Sequence, residues 1–289
     1  MKLIITLIFL MFSLSAYADK PILDVTVPSG NSGNSWAEGN LISDALNKIG
    51  YDSKIVHTKK CIPNKNYIEK NTGRPAIFVR SASRYVRDES RNCNIAITDK
   101  TFLTVFYKRH QTMCVRSDSG FTNLNDFLSG KTRITVATTH SLPDNIFAPL
   151  TEQTGVKFVR VSYKGSKNII KGLVAGDTDL MYSGFTAREL GTDSINCFTT
   201  SSDKEVGGRL PMQLLFPKWQ MNNIGSVKYF HAVNIPNNML AKVKHDLTFI
   251  TKDKKIKKYL QKSYMTPGIE IANGRKVFDQ HVATILANK

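Results

Sequence analysis

Apolar and polar positions follow a repeating order along the chain: a short β-branched run, a polar loop, then apolar residues at helical spacing. The first cycle opens with Ile22-Leu23-Asp24-Val25-Thr26-Val27, stops at Pro28 and gives way to Ser29-Gly30-Asn31-Ser32-Gly33-Asn34-Ser35, which predicts a strand running into a polar loop. Leu41, Ile42, Ala45, Leu46 and Ile49 then share one helical face, and Gly50 supplies the stop. Ser35-Trp36-Ala37-Glu38 has the S-x-x-E spacing of a capping box, in which hydroxyl and carboxylate each satisfy an orphan amide at the helix start. A second cycle runs from Ile134-Thr135-Val136-Ala137 through Thr138-Thr139-His140-Ser141 into a helix with Pro143 in its first turn and Gly155 at its end. A third runs from Phe158 to Ser162, through Tyr163-Lys164-Gly165-Ser166, into a helix carrying Ile169, Ile170, Leu173 and Val174 on one face and closed by Gly176. Leu180-Met181-Tyr182 reads as a short buried strand that delivers Ser183-Gly184 to a loop.

Strands alternating with helices imply parallel sheets with right-handed crossovers, and ligands of such sheets sit beyond the carboxyl ends of the strands. The polar loops lie at those ends, and each opens a helix whose unpaired amides and positive dipole end suit an anion. Ser, Thr, Asn and Gly are also ordinary loop and cap residues, so one loop alone carries little. Their shared placement makes the set a candidate carboxylate site built from backbone amides and hydroxyls.

The chain begins Met1-Lys2, continues as an apolar run from Leu3 to Phe12, and presents Ala16-Tyr17-Ala18 ahead of Asp19, the layout of a secretory signal cleaved after Ala18. The run is shorter than the roughly 18 to 20 residues of a membrane span. Export to the periplasm is the expectation. The 289 residues allow one large domain or two ordinary ones, and 41% hydrophobic with 22% charged residues is a globular composition. A formal charge of +17 raises nucleic acid as a partner, but export and the absence of any zinc-finger, basic-zipper or RNP pattern argue against it. The densest basic cluster, Lys252 to Lys258, interleaves with Ile256, Tyr259 and Leu260 and reads as the solvated face of a helix. What the charge leaves is attraction of anions. Cys61, Cys93, Cys114 and Cys197 show no C-x-x-C pair or zinc spacing, which in an oxidising compartment favours disulfides; of the three connectivities, Cys61 with Cys93 is preferred for their shared polar stretch.

The stretch Val159-Arg160-Val161-Ser162-Tyr163-Lys164-Gly165-Ser166, followed by Gly172-Leu173-Val174-Ala175-Gly176-Asp177-Thr178-Asp179-Leu180-Met181-Tyr182, resembles the solute receptors of tripartite tricarboxylate transporters, also called Bug-type receptors. The start from Lys20 to the loop after Pro28, the segment Phe121 to Phe127 and the tail from Pro236 to Leu286 are similar to the family in the same order. The resemblance implies an α/β, two-lobed periplasmic-binding-protein fold of type II character, with mixed sheets flanked by helices and a ligand cleft between the lobes. It implies a signal at 1–18, a first lobe of 19–116 plus 226–289 and a second of 117–225, with crossings near Arg116 and Ser226. It implies a monomer that binds a small anionic solute, without cofactor or metal, and hands it to membrane permease subunits. Carried over by position, Ser29, Asn31, Ser32, Gly33, Asn34 and Ser35 match the glycine-rich binding loop, and Thr98 the end of a first-lobe strand. Thr138, Thr139, His140 and Ser141 match the second-lobe carboxylate loop; Lys164 and Gly165 lie in the matching turn, and Ser183 follows the matching strand. Ser32, Asn34 and Trp36 depart from a loop that the family fills with small residues and an acidic one, and the segment from Cys61 to Tyr107 is compressed.

A secreted serine hydrolase is the rival class, and a sensory binding module of a signalling system is a third reading of the same fold. No G-x-S-x-G elbow occurs, and His57, His110, His140, His231, His245 and His281 show no metal-binding pair. These absences favour a binder over an enzyme.

Overall fold

The computed structural model describes residues 20–28, 34–57, 74–89, 97–139, 146–164, 166–184, 193–217, 226–263 and 265–287. The signal-like start, Cys61 and Cys93 lie outside them. The first part of the chain forms β1 (Asp24–Val27), α1 (Asn34–Lys48), β2 (Ile55–His57), β3 (Ala76–Ser81), α2 (Ala82–Glu89) and β4 (Phe102–Arg109). The middle forms β5 (Gln111–Arg116), α3 (Leu124–Leu128), β6 (Arg133–Thr139), α4 (Ala148–Thr154), β7 (Lys157–Tyr163), α5 (Ser166–Ala175), β8 (Leu180–Gly184), β9 (Ile195–Thr200), β10 (Leu210–Pro211) and α6 (Met212–Leu215). The last part forms β11 (Ser226–Val233), α7 (Asn237–Ile250), α8 (Lys254–Lys262), β12 (Thr266–Pro267) and α9 (Gly274–Ala287).

The strands make two six-stranded mixed sheets, ordered β12-β4-β11-β3-β1-β2 and β10-β9-β5-β8-β6-β7. In the first, β1, β2 and β3 are parallel, and β11 runs antiparallel between β3 and β4. In the second, β6 is parallel to β7 and β8, while β5 is antiparallel to β8 and β9. Both faces of each sheet are covered, as βα crossovers require. Val25, Ile77, Val79 and Phe230 pack with Leu46, Val243, Leu247, Ile256 and Leu260 from α1, α7 and α8. On the opposite face Phe102, Val105 and Tyr229 meet Phe278 of α9. In the second sheet Ile134, Val136, Leu180 and Tyr182 pack with Phe127 and Leu150, and Ala137 and Met181 pack with Ile169 and Leu173 of α5.

Several local expectations meet their elements here. Gly50 ends its helix at φ 99°, and Gly155 caps α4 at φ 71°, a conformation that suits glycine. The strand of the second cycle continues through Thr138 and Thr139, and α4 begins only at Ala148 with Pro149 in its first turn, whereas Pro143 lies outside the described residues. In α8, Ile256 and Leu260 are buried while Lys254, Lys255, Lys257 and Lys258 are exposed. The lysine cluster is therefore a solvated helix face.

One feature agrees with the expectation of disulfides and one departs from the pattern reading. Cys114 and Cys197 form a disulfide, opposed in register on β5 and β9, so Cys61 and Cys93 are each other's only remaining partners within the chain. The chain also changes sheet at His110, ahead of the crossing expected near Arg116, and Gln111–Arg116 runs in the second sheet. Phe102 to Arg116 contains no Gly, Pro or Asn, so β4 and β5 read as one uninterrupted strand and nothing in the pattern marks the break.

A packing prediction follows from the turn behind β4. A Cβ on Gly268 would stand 1.7 Å from the Val105 carbonyl oxygen and 2.5 Å from its carbon, backbone that cannot rotate away. Gly268→Ala is expected to cost about 1–3 kcal/mol of unfolding free energy, read by urea denaturation; a wild-type midpoint would mean that β4 and the turn after β12 separate freely.

Candidate functional site

Strand direction alone brings two sheet edges together. Strand β4 is antiparallel to β11, which is antiparallel to β3, so β4 ends at the same edge as the carboxyl ends of β1 and β3. Strand β5 is antiparallel to β8, so it starts at the edge where β6, β7 and β8 end. With only His110 between β4 and β5, the carboxyl-end edges of both sheets meet at this crossing. That is where ligands of open α/β sheets bind.

On the first edge the sequence spacing hides a charged network. Glu38 sits one turn into α1 at the spacing of Leu41, Ile42 and Ala45, and is fully buried. Its Oε2 accepts from Lys228 Nζ at 2.8 Å, and its Oε1 accepts from the Tyr107 hydroxyl at 2.7 Å and the Tyr259 hydroxyl at 3.0 Å. Lys228 Nζ also donates to Ser35 Oγ at 2.9 Å, and Arg109 Nη2 lies 3.9 Å from Glu38 Oε1. Burial works to raise the Glu38 carboxyl, but Lys228, Arg109 and the hydrogen bonds outweigh it and hold the carboxyl below its ordinary value. Burial, and then Glu38, push the Tyr107 and Tyr259 hydroxyls up, so both remain donors. Two cations thus meet one carboxylate at the edge.

The second edge is rich in hydroxyls. Thr112 and Ser183 are register partners on β5 and β8, as are Gln111 and Gly184, and Thr112, Ser183, Thr200 and Ser201 are all buried. Thr112 Oγ1 donates to the Thr199 carbonyl at 2.6 Å, and the Gln111 amide donates to Ser201 Oγ at 2.8 Å. The two edges touch through Arg109: a Cβ on Gly184 would stand 2.4 Å from Arg109 Cδ. The Arg109 side chain therefore lies between the sheets.

The residues expected from sequence divide accordingly. Ser35, in the first turn of α1, and Ser183 stand at the two edges, the latter inside β8 and not in the loop beyond it. Thr138 also lies within its strand, buried, and its hydroxyl accepts from Arg160 Nε at 3.0 Å. Lys164 follows β7 exposed, with its carbonyl accepting from Asn168 Nδ2 at 2.9 Å. Asn34 begins α1 and Thr139 ends β6. Ser29, Asn31, Ser32, Gly33, His140, Ser141 and Gly165 lie outside the described residues. Thr98 is displaced: it precedes β4, at the edge opposite His110, and exchanges hydrogen bonds with Thr101 in an exposed turn. The capping box also dissolves, because α1 already includes Ser35 and the Glu38 carboxylate is drawn to Lys228 and the two tyrosines. Trp36 packs partly buried against the first core, edge-on to His57.

Glu38, Tyr107, Arg109, Lys228 and Tyr259 were not among the site residues expected from the sequence. One signal was available: Glu38 is a carboxylate on the buried stripe of its helix, and a buried carboxylate needs charged or donor partners. Among the described residues no group of three or more His, Cys, Asp or Glu could hold a metal ion.

No protein-family model and no curated protein matches the sequence. Solved structures match the fold along nearly its whole length. The periplasmic binding protein BugD shares 16% identity over 94% of this chain and 95% of its own, with a TM-score of 0.63. MatC from Rhodopseudomonas palustris, solved with bound malate, shares 14% identity over 92% of this chain and 97% of its own, with a TM-score of 0.65. A second R. palustris protein, solved with adipate, shares 14% identity over 92% of this chain and 94% of its own, with a TM-score of 0.67. The fold is that of two-lobed periplasmic solute-binding proteins, with mixed sheets flanked by helices.

Proposed function

We propose that the chain is a solute receptor of the tripartite tricarboxylate transporter type, exported to the periplasm, which captures a small carboxylate between its sheets and delivers it to membrane permease subunits without altering it. The observation that carries this reading is the gathering of two cations, Lys228 and Arg109, about Glu38 where the two carboxyl-end edges meet, faced by buried hydroxyls. A carboxylate there gains charge-assisted hydrogen bonds in a partly desolvated place. Two proteins of the same fold hold malate and adipate. Export rests on the arrangement from Met1 to Asp19.

The test is a thermal-shift panel of mono-, di- and tricarboxylates on the mature protein. The expected result is a saturable rise with at least one member, about 2.7 kcal/mol of added stability at a hundred times Kd. In Gly184→Val the new side chain displaces Arg109, and affinity is expected to fall about tenfold, or about 1.4 kcal/mol. A flat response across the panel, or hydrolysis of an ester panel abolished by Ser32→Ala, would replace this reading with another.

A further inference from the structure

Behind the crossing lies a second concavity. Arg109 faces Gly184 and Glu38 at the cleft, and alternation along the strand sends its neighbours Lys108 and His110 to the other side. There they line a cavity of about 460 Å³ together with Thr266, Ser202, the turn that follows it, and the segment ahead of α9. Lys108, His110 and Thr266 belong to the first sheet and the crossing, and Ser202 and its turn follow β9 of the second. The volume suits a small molecule.

The inner wall is polar and incompletely satisfied. Among the described residues the Lys108 ammonium meets no hydrogen-bond or ion-pair partner, and burial, opposed by Asp203, lowers its hold on the proton. His110 is only 3% exposed; its Nε2 pairs with Thr266 Oγ1 at 2.9 Å, and its Nδ1 is buried without a partner. Burial, then Lys108, bring His110 down to about 4 against the pull of Asp203, so the ring is neutral at pH 7. His281 of α9 is brought down to about 4 by burial and by the same Lys108. One buried ammonium thus acts on two neutral imidazoles. The rim is the reverse: Asp203, Glu205 and Glu270 are exposed there, with Lys204 the single opposing cation.

From this juxtaposition we infer a second binding site, bridging the two sheets behind the crossing, for a small zwitterion whose oxyanion meets Lys108 and Thr266 while its ammonium lies among the rim carboxylates. A plain anion satisfies the inner wall but is repelled at the rim, and a plain cation meets the opposite fault. A molecule carrying both charges on a short chain fits both ends.

The probe is a series of ω-amino acids, glycine, β-alanine, γ-aminobutyrate and ε-aminocaproate, with butyrate and butylamine as half-charged controls. The readout is the ring NMR signals of His110 and His281. At least one ω-amino acid is expected to shift both signals saturably, with at least tenfold tighter apparent binding than either control. The response should vanish in Lys108→Met and persist in the Lys228→Met, Glu38→Gln double variant, which alters the cleft without stranding its carboxylate and so separates this cavity from the cleft. No saturable shift with any member, an equal response to butyrate, or an unchanged response in Lys108→Met would each overturn the site. Because Lys108→Met removes an ammonium that makes no hydrogen bond or ion pair among the described residues, its unfolding midpoint is expected to match wild type.

Discussion

Lys228→Met is expected to lower the unfolding free energy by about 3–5 kcal/mol, the cost of leaving a buried carboxylate without its main cation. Glu38 keeps two tyrosine hydroxyls and Arg109 in that variant, but loses the ammonium that donates to it directly at 2.8 Å. Adding Glu38→Gln to Lys228→Met should restore at least half of the loss, since a neutral amide accepts from the same hydroxyls without a stranded charge. Urea denaturation of the two single variants and the double variant measures the coupling. A loss below about 1 kcal/mol for Lys228→Met, the scale of an exposed pair, would mean that water reaches Glu38. The same network sets an acid limit. The folded-state carboxyl of Glu38 lies below the unfolded value of about 4.3, so the unfolded chain takes up the proton first as pH falls. Its stabilisation is complete above that value and is lost as pH falls through the folded one.

Removing the Cys114–Cys197 crosslink is the second large effect. The bond closes a loop of 83 residues, for which the chain-entropy account gives about 4.5 kcal/mol of stabilisation. The paired Cys114→Ser, Cys197→Ser variant is expected to lose about 2–5 kcal/mol in guanidinium unfolding. Its midpoint should be less sensitive to reductant than the wild-type midpoint. Equal stability of variant and wild type would show that β5 and β9 hold their register without the bond. The pairing also ties the strand that starts at the crossing to the strand that ends in Thr200 and Ser201, so loosening it disturbs the hydroxyl-rich edge as well.

The sequence revealed the fold where the physics is local and left the site's charges hidden where it is not. Ile134–Ala137 and Phe158–Ser162 each lie inside a strand, and the helical face of Ile169, Ile170 and Leu173 lies in α5, because period and turn residues act within a few positions. The solvated face of α8 was legible for the same reason. Glu38 and Lys228 are 190 residues apart, and no local pattern announces their pairing. A glutamate three residues after a serine matched a cap, while its place on the buried stripe was the stronger clue. The break at His110 was invisible because no Gly, Pro or Asn divides the two strands. Thr98 was carried over by analogy from inside the compressed segment between Cys61 and Tyr107, where positions are hardest to match.

With a single residue, His110, between β4 and β5, any rotation of one sheet against the other at this crossing would displace its strands unequally. Strand β8 lies one position from β5 and β7 lies three positions away. At the ordinary strand spacing of about 4.8 Å, a rotation of roughly 20° about His110 carries the end of β7, with Lys164, about 5 Å but Ser183 only about 2 Å. In such a rotation the pivot-side hydroxyls would change their distance to Arg109 less than the far turn would.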